Sequence, residues 1–154
     1  MTVQVLVYPV LIVLVGGFAL LTVPREDLRL LLPYGVVLGG LYDYIHGVIT
    51  GDLLKIGTFQ NQHIFAVGDH LILTPIAWTF IMVLYLYYWP QRNKYIGWLY
   101  LLSWALLATG YSQVVRSAGL FTYLPWFYPI PMFLLFLIRF ALATWVAQRS
   151  NLLQ

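Results

Sequence analysis

The chain has no cysteine, and Asp, Glu, Lys and Arg together make up only 8% of its 154 residues. Without cysteine there is no disulfide, no thiolate chemistry and no Cys-ligated zinc or iron–sulfur centre. The scarcity of charge goes with an apolar bulk: 62% of residues are hydrophobic and 18% aromatic, with a mean hydropathy of +0.84. A soluble domain of this length could not hide so much apolar surface in one core, whereas a bilayer supplies apolar surroundings. The net charge is +3, but the eight basic residues are scattered rather than gathered on a stripe, so nucleic acid is excluded as a partner. No Ser–His–acid set, phosphate loop or His-Glu-x-x-His spacing occurs, so no reaction is named and a non-enzymatic protein is expected.

What is present is a series of apolar runs, each near the roughly 20 residues that a crossing helix needs. They cover about 3–23, 30–50, 63–89, 95–115 and 129–147. The expected fold is therefore all-α, one domain, an integral membrane bundle of about five transmembrane helices with the lipid bilayer as its partner. The first run lacks a basic leader and outlasts a signal-peptide core, so it reads as a retained span. In the second, Gly35 and Gly39 are spaced for close helix contact. In the third, Pro75 frees the Leu71 carbonyl and predicts a kink. An outside N-terminus puts Arg25, Arg29, Arg92, Lys94 and Arg149 on the inner side and only Lys55 and Arg116 on the outer. The excess of inner basic residues favours a cell-membrane protein with a cytoplasmic C-terminus.

Against this background Asp43, His46, His63, Asp69 and His70 stand out, since ionisable groups at membrane depth are costly and face partners or watery cavities. Helical rise places Asp43 and His46 in the outer half of the second span and the other three in the outer third of the third span, with Arg116 arriving at the same level. Three readings stay open. Asp43 pairs with a histidine or with Arg116 and only fixes packing. Alternatively, Asp43, His46, Asp69 and His70, with Arg116 and Arg139, form an outward-facing pocket that binds or passes an ion, proton or small polar solute, alone, as a homo-oligomer or as a complex subunit. The third is a metal or haem site built from His46, His63, His70 and Asp43, serving an intramembrane enzyme or electron-transfer anchor. Arg139, well inside the fifth span, is either a helix-terminal anchor, a ligand for a lipid phosphate or the counter-charge of an acid.

Several stretches also carry a resemblance. Leu32-Pro33-Tyr34 precedes a span with an acid, Asp43; Asp69-His70-Leu71 precedes Pro75; Tyr87-Tyr88-Trp89-Pro90 leads to Lys94-Tyr95; and Ile138-Arg139 is followed by Ala143 and Trp145. On these, residues 31–147 resemble a family of small uncharacterised multi-pass membrane proteins of spore-forming Firmicutes. That resemblance implies a bacterial inner-membrane protein and no particular activity. The family's fourth span often carries an acid, whereas Thr109-Gly110-Tyr111-Ser112 has none here. Length and span number are also similar to the tryptophan-rich sensory proteins that bind porphyrins and sterols, but their Pro- and Trp-rich signature is missing.

Overall fold

The computed structural model describes residues 6–60, 66–67 and 70–153, with 66, 67, 70 and 71 given by strand placement alone. Among the described residues the chain is mostly helical, with five helices and four short strands, so the all-α expectation holds at that level. Helix α1 is Val7–Thr22; it stops because Pro24 forces its predecessor out of the helical region, and Val23 is extended. Helix α2 then runs unbroken over residues 25–53. Its α-helical segments Arg25–Tyr34 and Tyr42–Gly47 alternate with π-helical Gly35–Leu41 and Val48–Leu53. Pro33 removes one rung of its hydrogen-bond ladder, and the π register begins two residues later.

Helix α3 is Leu73–Tyr87, α4 is Lys94–Ser117 and α5 is Ile130–Arg149. The side chain of Asn93 caps α4 by accepting from the Tyr95 N–H at 2.9 Å. Among the described residues, α5 is the one helix both long and apolar enough to cross a membrane, while α1 and α3 are apolar but shorter.

The third helix differs from the 63–89 expected. It starts at Leu73, and before it Ala66–Val67 (β2) and His70–Leu71 (β3) pair as antiparallel strands. Pro75 is therefore in the first turn, where a missing N–H removes no helical bond, and the expected mid-helix kink has no basis. The helical phase relating His63 to His70 also lapses, because His70 is in a strand. A second pair joins Gly57–Phe59 (β1) to Phe121–Tyr123 (β4), antiparallel, with Gly57 opposite Tyr123 and Phe59 opposite Phe121. This pairing ties the connection after α2 to the connection after α4, and so gathers those helix ends at one end of the bundle, the capped end.

Helix α3 is the hub, packed on α1 and on the π-helical part of α2, while α4 packs on α5. The spacing of Gly35 and Gly39 does what it predicts. A Cβ at Gly35 would stand 2.7 Å from the Thr79 carbonyl oxygen, and one at Gly39 would run into the Trp78 carbonyl, so the α2 and α3 backbones touch. Away from the cap, Met82, Val83, Tyr85 and Leu86 of α3 close a fully packed core with Phe140 and Ala143 of α5. Towards the cap a cavity lies between the helices, bordered by Tyr8 of α1 where it packs against Val115 of α4.

Candidate functional site

Arg139 is the tenth of the 20 residues of α5 and is 3% exposed. A guanidinium so placed must find its partners within the protein, and it does. Nη1 donates to the Asp43 carboxylate at 3.2 Å and Nη2 to the Gly39 carbonyl at 2.6 Å. Gly39 and Asp43 lie one turn apart on α2, and the π-helical stretch before Asp43 sets the phase in which both meet α5. The flat cation lies 3.8 Å from the centroid of the Trp78 ring and 5.0 Å from that of Tyr42, contacts that a planar, weakly hydrated ion favours.

This pair forms one wall of a cavity of about 380 Å³ lined by residues from all five helices and, at the capped end, by Gly57, Phe59 and Phe121. The volume is in the range of small-molecule sites, as is the character of the wall, apolar and aromatic with few polar groups. Three buried polar atoms of wall residues have no hydrogen-bond partner among the described residues: Arg139 Nε, His46 Nε2 and the Tyr111 hydroxyl. Counted along their helices, the three residues lie roughly 9 to 14 Å from the capped end, in the same half of the bundle. Tyr44 and Leu107 line the cavity yet are 49% and 64% exposed, which marks where it reaches the lateral surface of the bundle.

Asp43, His46 and Arg139 thus meet at one site. Asp43 pairs with Arg139 and not with Arg116 or His46. Arg116 lies over the Tyr123 ring, 4.7 Å from its centroid, where the Tyr123 hydroxyl donates to Gln113 Oε1 at 2.6 Å. His46 stacks on Tyr42, its neighbour one turn earlier. Arg139 is no helix-terminal anchor; it is the counter-charge of an acid. His63 and Asp69 lie outside the described residues, as does the side chain of His70. Among the described residues no group of three or more His, Cys, Asp or Glu could hold a metal ion.

Sequence reasoning passed over Trp78, Trp104 and Tyr111, all part of the wall. A signal was available for the two tryptophans, which stand inside their helices and not at the ends where interfacial tryptophan collects. Tyr111 stands in the small, polar stretch Thr109-Gly110-Tyr111-Ser112, which drew notice only for lacking an acid. No protein-family model, curated protein or solved structure matches the chain.

Proposed function

We propose that the chain is a multi-pass membrane protein whose interhelical cavity binds a small amphipathic molecule, either alone or as a subunit of a larger assembly. The observation that carries this reading is the cavity itself: a largely apolar space of about 380 Å³ whose lining residues include three with a buried, unpartnered polar atom. Buried polar groups ordinarily have partners, and those that lack one in a cleft mark a place where a ligand or water supplies it.

The membrane reading draws on the surface. Large apolar side chains face outward on every helix but the central α3 along most of its length, for example Leu21 at 87%, Val13 at 71%, Leu107 at 64% and Ile138 at 57% exposed. A water-soluble monomer does not carry so extensive an apolar belt. Every described Asp, Glu, Lys and Arg except Asp43 and Arg139 lies within five residues of a helix end or in a connection. The two exceptions neutralise each other, as ions at membrane depth do. Basic residues gather at the end opposite the strand cap, which favours a cytoplasmic C-terminus and an outside cap in a bacterial inner membrane.

An amphipathic molecule suits the site better than a bare cation, because Arg139 already occupies the carboxylate of Asp43. The test uses the full chain in dodecyl maltoside and equilibrium dialysis of three probes, menadione, 2-methylnaphthalene and 2-naphthoate, against protein-free micelles. At least one is expected to bind saturably at one per chain, and Ala108→Trp, which fills the wall, is expected to abolish it. Partition into micelles alone for all three probes refutes the pocket. Because the chain has no cysteine, topology is tested with single additions. A membrane-impermeant maleimide is expected to label Ser117→Cys on intact cells and Ser150→Cys only after lysis; the reverse pattern inverts the orientation.

A further inference from the structure

We infer that the occupant is an uncharged, largely apolar molecule bearing a carbonyl oxygen, to which the Arg139 Nε–H and the Tyr111 hydroxyl donate. The inference rests on the cavity-binding reading and specifies its ligand.

The first argument is donor chemistry. A guanidinium nitrogen can only donate, so the complement of Arg139 Nε is an acceptor. The Tyr111 hydroxyl likewise has no partner among the described residues, and a carbonyl oxygen has two lone pairs to receive both. The second argument is charge. Among the described residues Asp43 and Arg139 are the only Asp, Glu, Lys or Arg on the wall, and at 3.2 Å they cancel. An anionic ligand would carry its charge into an apolar space with no free counter-ion, and a cation would meet a carboxylate already paired; both are costly.

The third argument is the approach. Phe59 and Phe121, held by the β1–β4 pairing, line the capped end of the cavity. The wall residues that are also exposed, Tyr44 and Leu107, are on the flanks of α2 and α4. A molecule arriving there comes sideways from the apolar phase into a space that Trp78 and Trp104 also line. A free apolar ketone or quinone has this chemistry, and so does the ester carbonyl of a bilayer lipid.

The three dialysis probes share a naphthalene body and differ in the group that decides. Menadione has uncharged carbonyls, 2-methylnaphthalene has none, and 2-naphthoate is an anion. Dodecyl maltoside has no carbonyl to compete, and a chain without cysteine forms no thiol adduct with menadione. Menadione is expected to bind at one per chain, at least about tenfold more tightly than 2-methylnaphthalene, as a hydrogen bond from a charged donor implies. It is also expected to bind more tightly than 2-naphthoate. Arg139→Lys, which has no Nε–H, brings menadione down to the level of the hydrocarbon. Because that substitution also disturbs the Asp43 and Gly39 contacts, Tyr111→Phe serves as the second variant. It removes an oxygen with no partner among the described residues, lowers menadione affinity several-fold and leaves 2-methylnaphthalene unchanged.

Equal affinity for menadione and the hydrocarbon, or tighter binding of 2-naphthoate, overturns the ligand class while leaving the pocket standing. Failure of all three probes refutes the pocket as well. Phosphorus analysis of the purified chain assigns the source. One phospholipid per chain, displaced by menadione, identifies a lipid ester, and phosphorus-free protein that binds menadione identifies a free carbonyl compound.

Discussion

Replacing Arg139 with methionine removes the cation from the centre of the bundle and leaves its partners behind. Arg139 is 3% exposed and its carboxylate partner 14%, so little water is at hand to take over when the guanidinium goes. Asp43 loses its counter-charge, and the Gly39 carbonyl loses the donor that reaches it at 2.6 Å. Breaking a buried ion pair from one side costs about 3–5 kcal/mol. Loss of an ordinary interhelical hydrogen bond inside a membrane averages about 0.6 and reaches about 1.7 kcal/mol. A destabilisation above about 2 kcal/mol therefore identifies a desolvated ion pair, not a simple polar contact. The second arm is Asp43→Leu together with Arg139→Met, which removes both charges and is expected to be more stable than Arg139→Met alone, with a coupling of about 2–4 kcal/mol. The assay is reversible unfolding of the full chain in dodecyl maltoside with rising sodium dodecyl sulfate, followed by far-UV circular dichroism. Tryptophan emission adds a local reading, because the guanidinium lies 3.8 Å from the centroid of the Trp78 ring. If Arg139→Met unfolds with wild-type stability, or if the double variant costs the sum of the singles, the reasoning about this pair is wrong.

The same unfolding assay checks three further expectations. Gly39→Ala drives a methyl into the Trp78 carbonyl and is expected to cost about 1–3 kcal/mol. Gly17→Ala, with nothing within 4 Å of the new methyl, should be neutral or slightly stabilising; equal losses at both positions would dismiss the backbone contact. Tyr85→Phe removes a hydroxyl 2.6 Å from Thr144 Oγ1, with an expected loss of about 1 kcal/mol. That loss stays small because Thr144 keeps its bond to the Phe140 carbonyl. Pro75→Ala is expected to change stability by no more than about 0.5 kcal/mol, since Pro75 is in the first turn of α3, and a gain near 3 kcal/mol would mean that the helix continues through it.

How much of the site could be read from the chain differs residue by residue. Asp43 and Arg139 each stand out as single charges in apolar runs, and the price of burying an ion is enough to say that each has a partner. That they are each other's partner is not legible, because 96 residues and two intervening helices separate them. Gly35 and Gly39 announce a close approach by their spacing, yet only the packed structure shows that the approaching backbone is Thr79 and Trp78 of α3. The error at the third helix has a simple origin. Hydropathy continues through Ile64, Phe65, Ala66 and Val67, and a short apolar run has no period by which to tell a strand from a helix.

Composition and the placement of charge by themselves determined that this chain is helical and rich in apolar surface, and that a charge interrupting the greasy runs needs a partner. Those conclusions follow from local chemistry, since the cost of exposing or burying each group does not depend on which helix is its neighbour. The cavity, the Asp43–Arg139 pair and the burial of Arg139 Nε, His46 Nε2 and the Tyr111 hydroxyl without a partner among the described residues were decided only by tertiary structure. They depend on helix order, on the π-helical phase of α2 and on how the five helices pack around the cavity, which are properties of the assembled bundle and of no single segment.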